Sequence, residues 1–264
     1  MYWVSRRKAL LIAAAALVVG ALSYLLAVRT GLGQRAEQSV LGGSTYDTTA
    51  SWLLRYVNTI TAGIALVLIG ALAWRCRGLA RAVWGTLFAV AAVVASQLLK
   101  HELLERPAFD DFQLDNTFPS GHMTVYGVVV AGLIWAVPPR IRGVIAVGGA
   151  ALLGTVAWQL LAYGWHRPSD LLGAQALVVF AFALAAATRL PWRRQTPDRT
   201  PATPGYKLFT ALLTFSGFIL VLGGVVLVLF AGRMDSEVML IGGSEIALVG
   251  SSTLATRALI TLAR

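Results

Sequence analysis

The chain has 264 residues, 57% of them hydrophobic, and a mean hydropathy of +0.72, which excludes an ordinary water-soluble globule and points to several membrane crossings. Its net charge is +10, from 22 Lys and Arg against 12 Asp and Glu. In a soluble chain that excess would raise nucleic acid as a partner; here it reads as basic loops on one side of a membrane plus affinity for anionic lipid, with no nucleic-acid partner. The lone cysteine, Cys76, excludes an intramolecular disulfide.

In chain order, the first apolar run covers residues 9–28 and follows Arg6, Arg7 and Lys8. It is long for the core of a signal peptide and lacks a small-residue cleavage site, so the expectation is a retained first span with the N-terminus in the cytoplasm. Residues 29–55 are polar and rich in Gly, Ser and Thr, an outer loop or short surface helix. Residues 56–74 form a second span that returns to Arg75, Arg77 and Arg81, and residues 82–99 go out again to Lys100 and His101. The outer loop that follows, residues 100–119, is dense in charge; Asp110, Asp111 and Asp115 read as its solvated face.

A fourth span starts near Ser120 and ends at Pro138, Pro139 and Arg140. Residues 143–165 run outward and residues 171–188 inward, the fifth and sixth spans. Residues 189–207 carry Arg189, Arg193, Arg194, Arg199 and Lys207 among prolines and read as an irregular cytoplasmic linker. Residues 208–232 form a seventh span. Residues 238–263 are apolar enough to cross but contain Glu245, Arg257 and several Gly and Ser; they read as an eighth span, or as a re-entrant or surface amphipathic helix. Glu245 and Arg257 are too far apart in sequence for one helical ion pair and receive no role. The expected architecture is an all-α polytopic membrane helix bundle, with a six-span core (1–188), a linker (189–207), and a C-terminal hairpin or span plus interfacial helix (208–264).

The basic residues support this orientation. Arg6, Arg7, Lys8, Arg75, Arg77, Arg81, Arg140, Arg142, Arg189, Arg193, Arg194, Arg199 and Lys207 fall inside, whereas Arg29, Arg35, Arg55, Lys100, Arg106, Arg167 and Arg233 fall outside. The same count places all three histidines, His101, His122 and His166, at the outer face.

Around those histidines lie three segments with chemistry. His166 and Asp170 are four residues apart, so in a helical setting the carboxylate can take the proton on one imidazole nitrogen and leave the other free to attack an electrophile. Phe118-Pro119-Ser120-Gly121-His122 opens the fourth span: Ser120 can cap the helix, Gly121 lets an anion approach the backbone, and the helix N-terminus favours negative charge. Read alone, that fragment is equally a capped membrane helix with a surface histidine. Lys100 and Arg106 bracket the third segment and suit a phosphate, although each alone also suits interfacial snorkelling. Trp165 reads as an interfacial anchor, as tryptophans at span ends usually are.

Together the segments resemble the type 2 phosphatidic acid phosphatase family of integral membrane lipid phosphatases. Its signatures are Lys, six residues, Arg-Pro; then Pro-Ser-Gly-His; then Ser-Arg, five residues, His, three residues, Asp. The resemblance covers roughly residues 50–190. It implies that His166 is the nucleophile forming a phosphohistidine, that Asp170 orients it and that His122 is the general acid. It further implies that Lys100, Arg106, Ser120 and Gly121 hold the phosphate oxygens, with no metal or other cofactor. Two departures stand out. Only five residues separate Lys100 from Arg106; a helix end can absorb such a change so that Lys100 still reaches, or His101 can share its part. Where the family has Ser-Arg, this chain has Gln159-Leu160, and Arg167 is the candidate replacement for the missing guanidinium.

The leading expectation is therefore a metal-independent lipid phosphatase of the plasma (inner) membrane, acting at the outer face on a lipid mono- or diphosphate. Candidate substrates are a polyprenyl diphosphate or polyprenyl-linked sugar phosphate, a phosphatidylglycerol phosphate, or a phosphatidic acid. The alternative is a catalytically impaired relative that binds or carries a phospholipid. A metal site built on the three histidines lacks helical ligand spacing, and a transporter lacks both intramembrane charge and an inverted repeat.

Overall fold

The computed structural model describes residues 4–45, 51–109, 115–188 and 204–264, and among them every regular element is a helix. Helix α1 (Arg6–Leu22) continues into a π-helical turn, Ser23–Val28. Helix α2 is Gly31–Gly42 and α3 the single turn Trp52–Arg55. Helices α4 (Thr59–Arg77) and α5 (Leu79–Leu98) follow, and α5 also ends in a π turn, Leu99–Leu103. The remainder are α6 (Gly121–Ala136), α7 (Pro139–Ala162), α8 (Pro168–Ala187), α9 (Pro204–Met234) and α10 (Glu237–Leu262). Among the described residues seven helices are long and apolar enough to cross a membrane; α6, with 16 residues, is apolar but shorter. The chain is an all-α, multi-pass membrane protein.

Local chemistry sets the helix starts. Asn58 and Thr61 form a reciprocal capping box at α4. Ser120 caps α6, and Pro139 and Pro168 open α7 and α8, where a missing N–H costs nothing. In the turn between α7 and α8, Gly164 has φ of 69°, a conformation that a β-carbon would strain.

Helix α8 lies at the centre, with α1 along one side and α5, α6 and α10 around it. Helices α4 and α9 are peripheral; side chains such as Ile60, Val67, Leu68, Phe215, Ile219 and Leu222 point outward, as suits contact with lipid. Helix α10 is one continuous helix of 26 residues, and it packs antiparallel on α9 and also against α7 and α8. The α9–α10 seam is close: a β-carbon on Gly224 would lie 2.4 Å from the carbonyl oxygen of Gly243. Small residues allow such backbone approach between membrane helices. Polar bonds add to it. Gln175 on α8 donates to Ser252 at 2.8 Å and accepts from Ser251 at 2.8 Å, both on α10. Arg257, given no role from sequence, donates from Nε to Thr214 on α9 at 3.0 Å and also bonds Thr261. Glu245 likewise has a partner in Trp158.

Three further expectations are corrected. Residues 29–55, expected as an outer loop or short surface helix, do hold the short helix α2, but it turns back onto the bundle and buries Gln34, Glu37, Val40 and Leu41. Residues 204–207, assigned to the linker, begin α9, while residues 189–203 of that linker lie outside the described residues, as do Asp110 and Asp111. Arg81 and Arg142, counted as loop cations, are buried. Arg81 stacks over the Trp135 ring at 4.7 Å and donates to the carbonyls of Trp135 and Ala263, joining α5, α6 and the end of α10. The periodic apolar signal marks spans, but it does not say which basic residue at a span end finds carbonyls to bind.

Candidate active site

One end of the bundle gathers the π turns after α1 and α5, the start of α6, the end of α7 and the start of α8. The carboxylate of Asp170, fully buried in the first turn of α8, is the hub. Its Oδ2 accepts from the Thr117 hydroxyl at 2.6 Å and the Arg167 backbone N–H at 3.0 Å, and lies 3.4 Å from His166 Nδ1. Its Oδ1 lies 3.4 Å from Arg106. The backbone carbonyl of Asp170 accepts the Ser120 N–H at 3.0 Å, which fastens the start of α6 to that of α8.

His166 is buried, with Nδ1 turned to Asp170. That contact leaves Nε2 as the nitrogen available for other chemistry. The backbone amides of Trp165 and His166 both donate to the Leu160 carbonyl, at 3.0 and 3.1 Å, so the end of α7 holds the histidine in place. His122, in the first turn of α6, faces His166 with ring centroids 6.4 Å apart. It donates to the Leu54 backbone carbonyl and lies within electrostatic range of Lys100. The Trp165 ring meets His122 edge-on at 6.0 Å, so this residue, read as a membrane anchor, instead walls the site.

The expected phosphate ligands fall in different places. Lys100 is half-buried in the π turn after α5, whose carbonyls at Lys100 and Leu104 accept from Asn116 at 3.0 and 2.8 Å. Ser120 is fully buried and caps α6 through Met123 N–H at 3.3 Å. Gly121 follows it; a β-carbon there would lie 3.2 Å from the Gln97 amide. Arg167 is buried, and its guanidinium donates to Thr117 at 3.2 Å. Arg106 is buried between two carboxylates, Asp170 at 3.4 Å and Glu37 at 3.6 Å. These are ion-pair distances, and its Nε and NH1 make no hydrogen bond. His101 is exposed at the same end. Leu160, at the position of the missing arginine, is fully buried in the apolar core, and the Gln159 amide oxygen accepts from Ser51 at 2.7 Å.

Two participants went unnoticed in the sequence. Thr117 bridges Asp170 and Arg167; its place just before Phe118-Pro119 was the one available signal. Glu37 comes from α2, far from every motif, and accepts the Ser169 N–H at 2.8 Å. Burial, and secondarily the charge of Asp170, push its carboxyl above the usual carboxylate range, against the opposing pull of the Ser169 bond and of Arg106.

No curated protein and no solved structure matches the chain. The family model of the PAP2 superfamily matches residues 97–196, the stretch running from the end of α5 past α8 that supplies Lys100, Arg106, Ser120, His122, His166 and Asp170. Over that segment the chain is similar to the type 2 phosphatidic acid phosphatase (PAP2) superfamily, whose members are phosphatases acting on lipid-like phosphoesters.

Proposed function

We propose that the protein hydrolyses a phosphomonoester or diphosphate of a membrane lipid through a phosphohistidine on His166. The observation that carries this is the facing pair of imidazoles, one of them held by a buried carboxylate. With Nδ1 directed at Asp170, His166 Nε2 attacks phosphorus while the bond to the leaving oxygen breaks. His122 gives that oxygen its proton. Water then attacks the phosphohistidine, His122 takes the water's proton, and inorganic phosphate leaves as the His166 nitrogen–phosphorus bond breaks. Lys100, the amides of Gly121 and His122, and Arg167 are the groups placed to balance charge on the equatorial oxygens, and they supply what a metal supplies elsewhere. Arg106 serves the site as the counterion of Asp170. The contact at 3.4 Å between His166 and Asp170 is long; such bonds shorten once substrate closes the site.

The setting of the site at one end of a bundle of membrane-spanning helices favours a lipid substrate. By the distribution of basic residues the site faces outward from the plasma membrane, and the substrate class includes polyprenyl phosphates and phosphorylated glycerolipids. The test is phosphate release by purified, detergent-solubilised protein from a panel of such lipids, with and without chelator and beside His166→Ala. Release that resists chelation and vanishes in the variant supports the reading; wild-type release unchanged by His166→Ala refutes it.

A second reading, a relative that binds phospholipid without turning it over, draws on Leu160, which buries carbon where the family places a guanidinium. Lipid binding without release of phosphate from any lipid would favour it.

A further inference from the structure

We propose that Glu37 is a positioning residue of the phosphate site, holding Arg106 and the first turn of α8 in the arrangement that presents His166. The proposal rests on the phosphatase reading of this site. Glu37 lies outside the segment shared with the family, and its surroundings show what it does.

Its Oε1 accepts the backbone N–H of Ser169 at 2.8 Å, a donor of the first turn of α8 with no carbonyl partner inside that helix. A carboxylate at a helix N-terminus is favourable for the same reason an anion is. Its Oε2 lies 3.6 Å from Arg106 NH1, and that guanidinium reaches on to Asp170 at 3.4 Å. Ser169 precedes Asp170, and Asp170 meets His166. Glu37 thus reaches the nucleophile by two routes, through the backbone of α8 and through Arg106. The side chains of Glu37 and Arg106 are 8% and 1% exposed, so neither contact is swept away by solvent. Helix α2 is itself anchored. Gln34 donates to the carbonyls of Val28 and Pro107, each at 2.8 Å, joining it to the end of the first span and to the segment that carries Arg106. This explains why a polar connection between the first two spans bends back into the bundle.

A residue of this kind acts by geometry. A misplacement of about 1 Å at a phosphoryl-transfer site costs on the order of 100-fold in rate. Glu37→Ala removes both contacts, whereas Glu37→Gln keeps an acceptor for the Ser169 N–H at almost unchanged volume. The experiment measures inorganic phosphate affinity by calorimetric titration, and kcat and KM on the preferred lipid phosphate, for wild type and both variants, with Tm recorded to confirm folding. The expected result is a loss of tenfold or more in phosphate affinity and in kcat for Glu37→Ala, little change in lipid KM, and partial recovery of both in Glu37→Gln. Wild-type values in Glu37→Ala overturn the proposal, as does a Glu37→Gln no better than Glu37→Ala, since the acceptor for the Ser169 N–H then contributes nothing to the site. A wild type that neither binds phosphate nor releases it overturns the phosphatase reading itself, and this proposal falls with it.

Discussion

Leu160 offers a sharp test, because sequence and structure expect opposite outcomes from one substitution. Aligned to the family pattern, Leu160→Arg restores a missing phosphate ligand and should raise turnover. In the structure Leu160 is fully buried and belongs to the main apolar cluster, and its carbonyl holds the amides of Trp165 and His166 at 3.0 and 3.1 Å. An arginine there adds three heavy atoms to a filled site, an overpacking cost of about 1–3 kcal/mol. It also buries a guanidinium with no carboxylate prepared for it, which costs several kcal/mol more. Against a total stability of roughly 5–15 kcal/mol, the sum of about 4 kcal/mol or more is a large fraction. Any shift of the α7 end is passed directly to His166 through the two amide bonds. The expected result is a clear fall in Tm in detergent and a fall in phosphate release. A Leu160→Arg protein with wild-type Tm and faster release would show that position 160 opens onto the phosphate, and would refute the assignment of this site to the core.

Other expected outcomes follow from single contacts. Asp170→Asn keeps the shape of the hub but removes the charge shared by Arg106 and His166, so kcat should fall by about 100-fold or more with lipid binding retained; unchanged kcat would deny Asp170 its orienting part. Thr117→Val removes the 2.6 Å bond to Asp170 and the acceptor for Arg167, and should cost about 1–3 kcal/mol on thermal unfolding; a neutral effect would mean that Asp170 is held without it. Gly224→Leu forces apart the α9–α10 seam, and should lower Tm more than the same change at Gly223, where a β-carbon meets open space. Glu37 carries a proton more tightly when folded than when unfolded. Its contribution to stability is therefore complete below the ordinary carboxylate range and declines as pH rises through its raised pKa, so the Tm of the wild type relative to Glu37→Gln should fall with rising pH; a parallel pair of curves would refute the shift.

The spans could be read from sequence because lipid imposes a one-dimensional rule: about 20 apolar residues close their own hydrogen bonds and need no partner to be recognisable. The His166–Asp170 pair and Ser120-Gly121-His122 were legible for a related reason, since each falls within a few residues at the start of one helix, where short sequence separation limits the geometry. What sequence could not show is any contact between turns. Arg106 was legible as a cation, yet its buried place between Asp170 and Glu37 depends on how α2, the 104–109 segment and α8 meet. Arg81 looked like a loop cation until α6 and α10 brought it the carbonyls of Trp135 and Ala263. Leu160 was plainly not an arginine, but only packing showed its side chain to lie in the core. Glu37 had no local signal, because a carboxylate in a polar connection looks like every other solvated one. Only the tertiary fold, by burying it against Arg106 and the N-terminus of α8, made it part of the site.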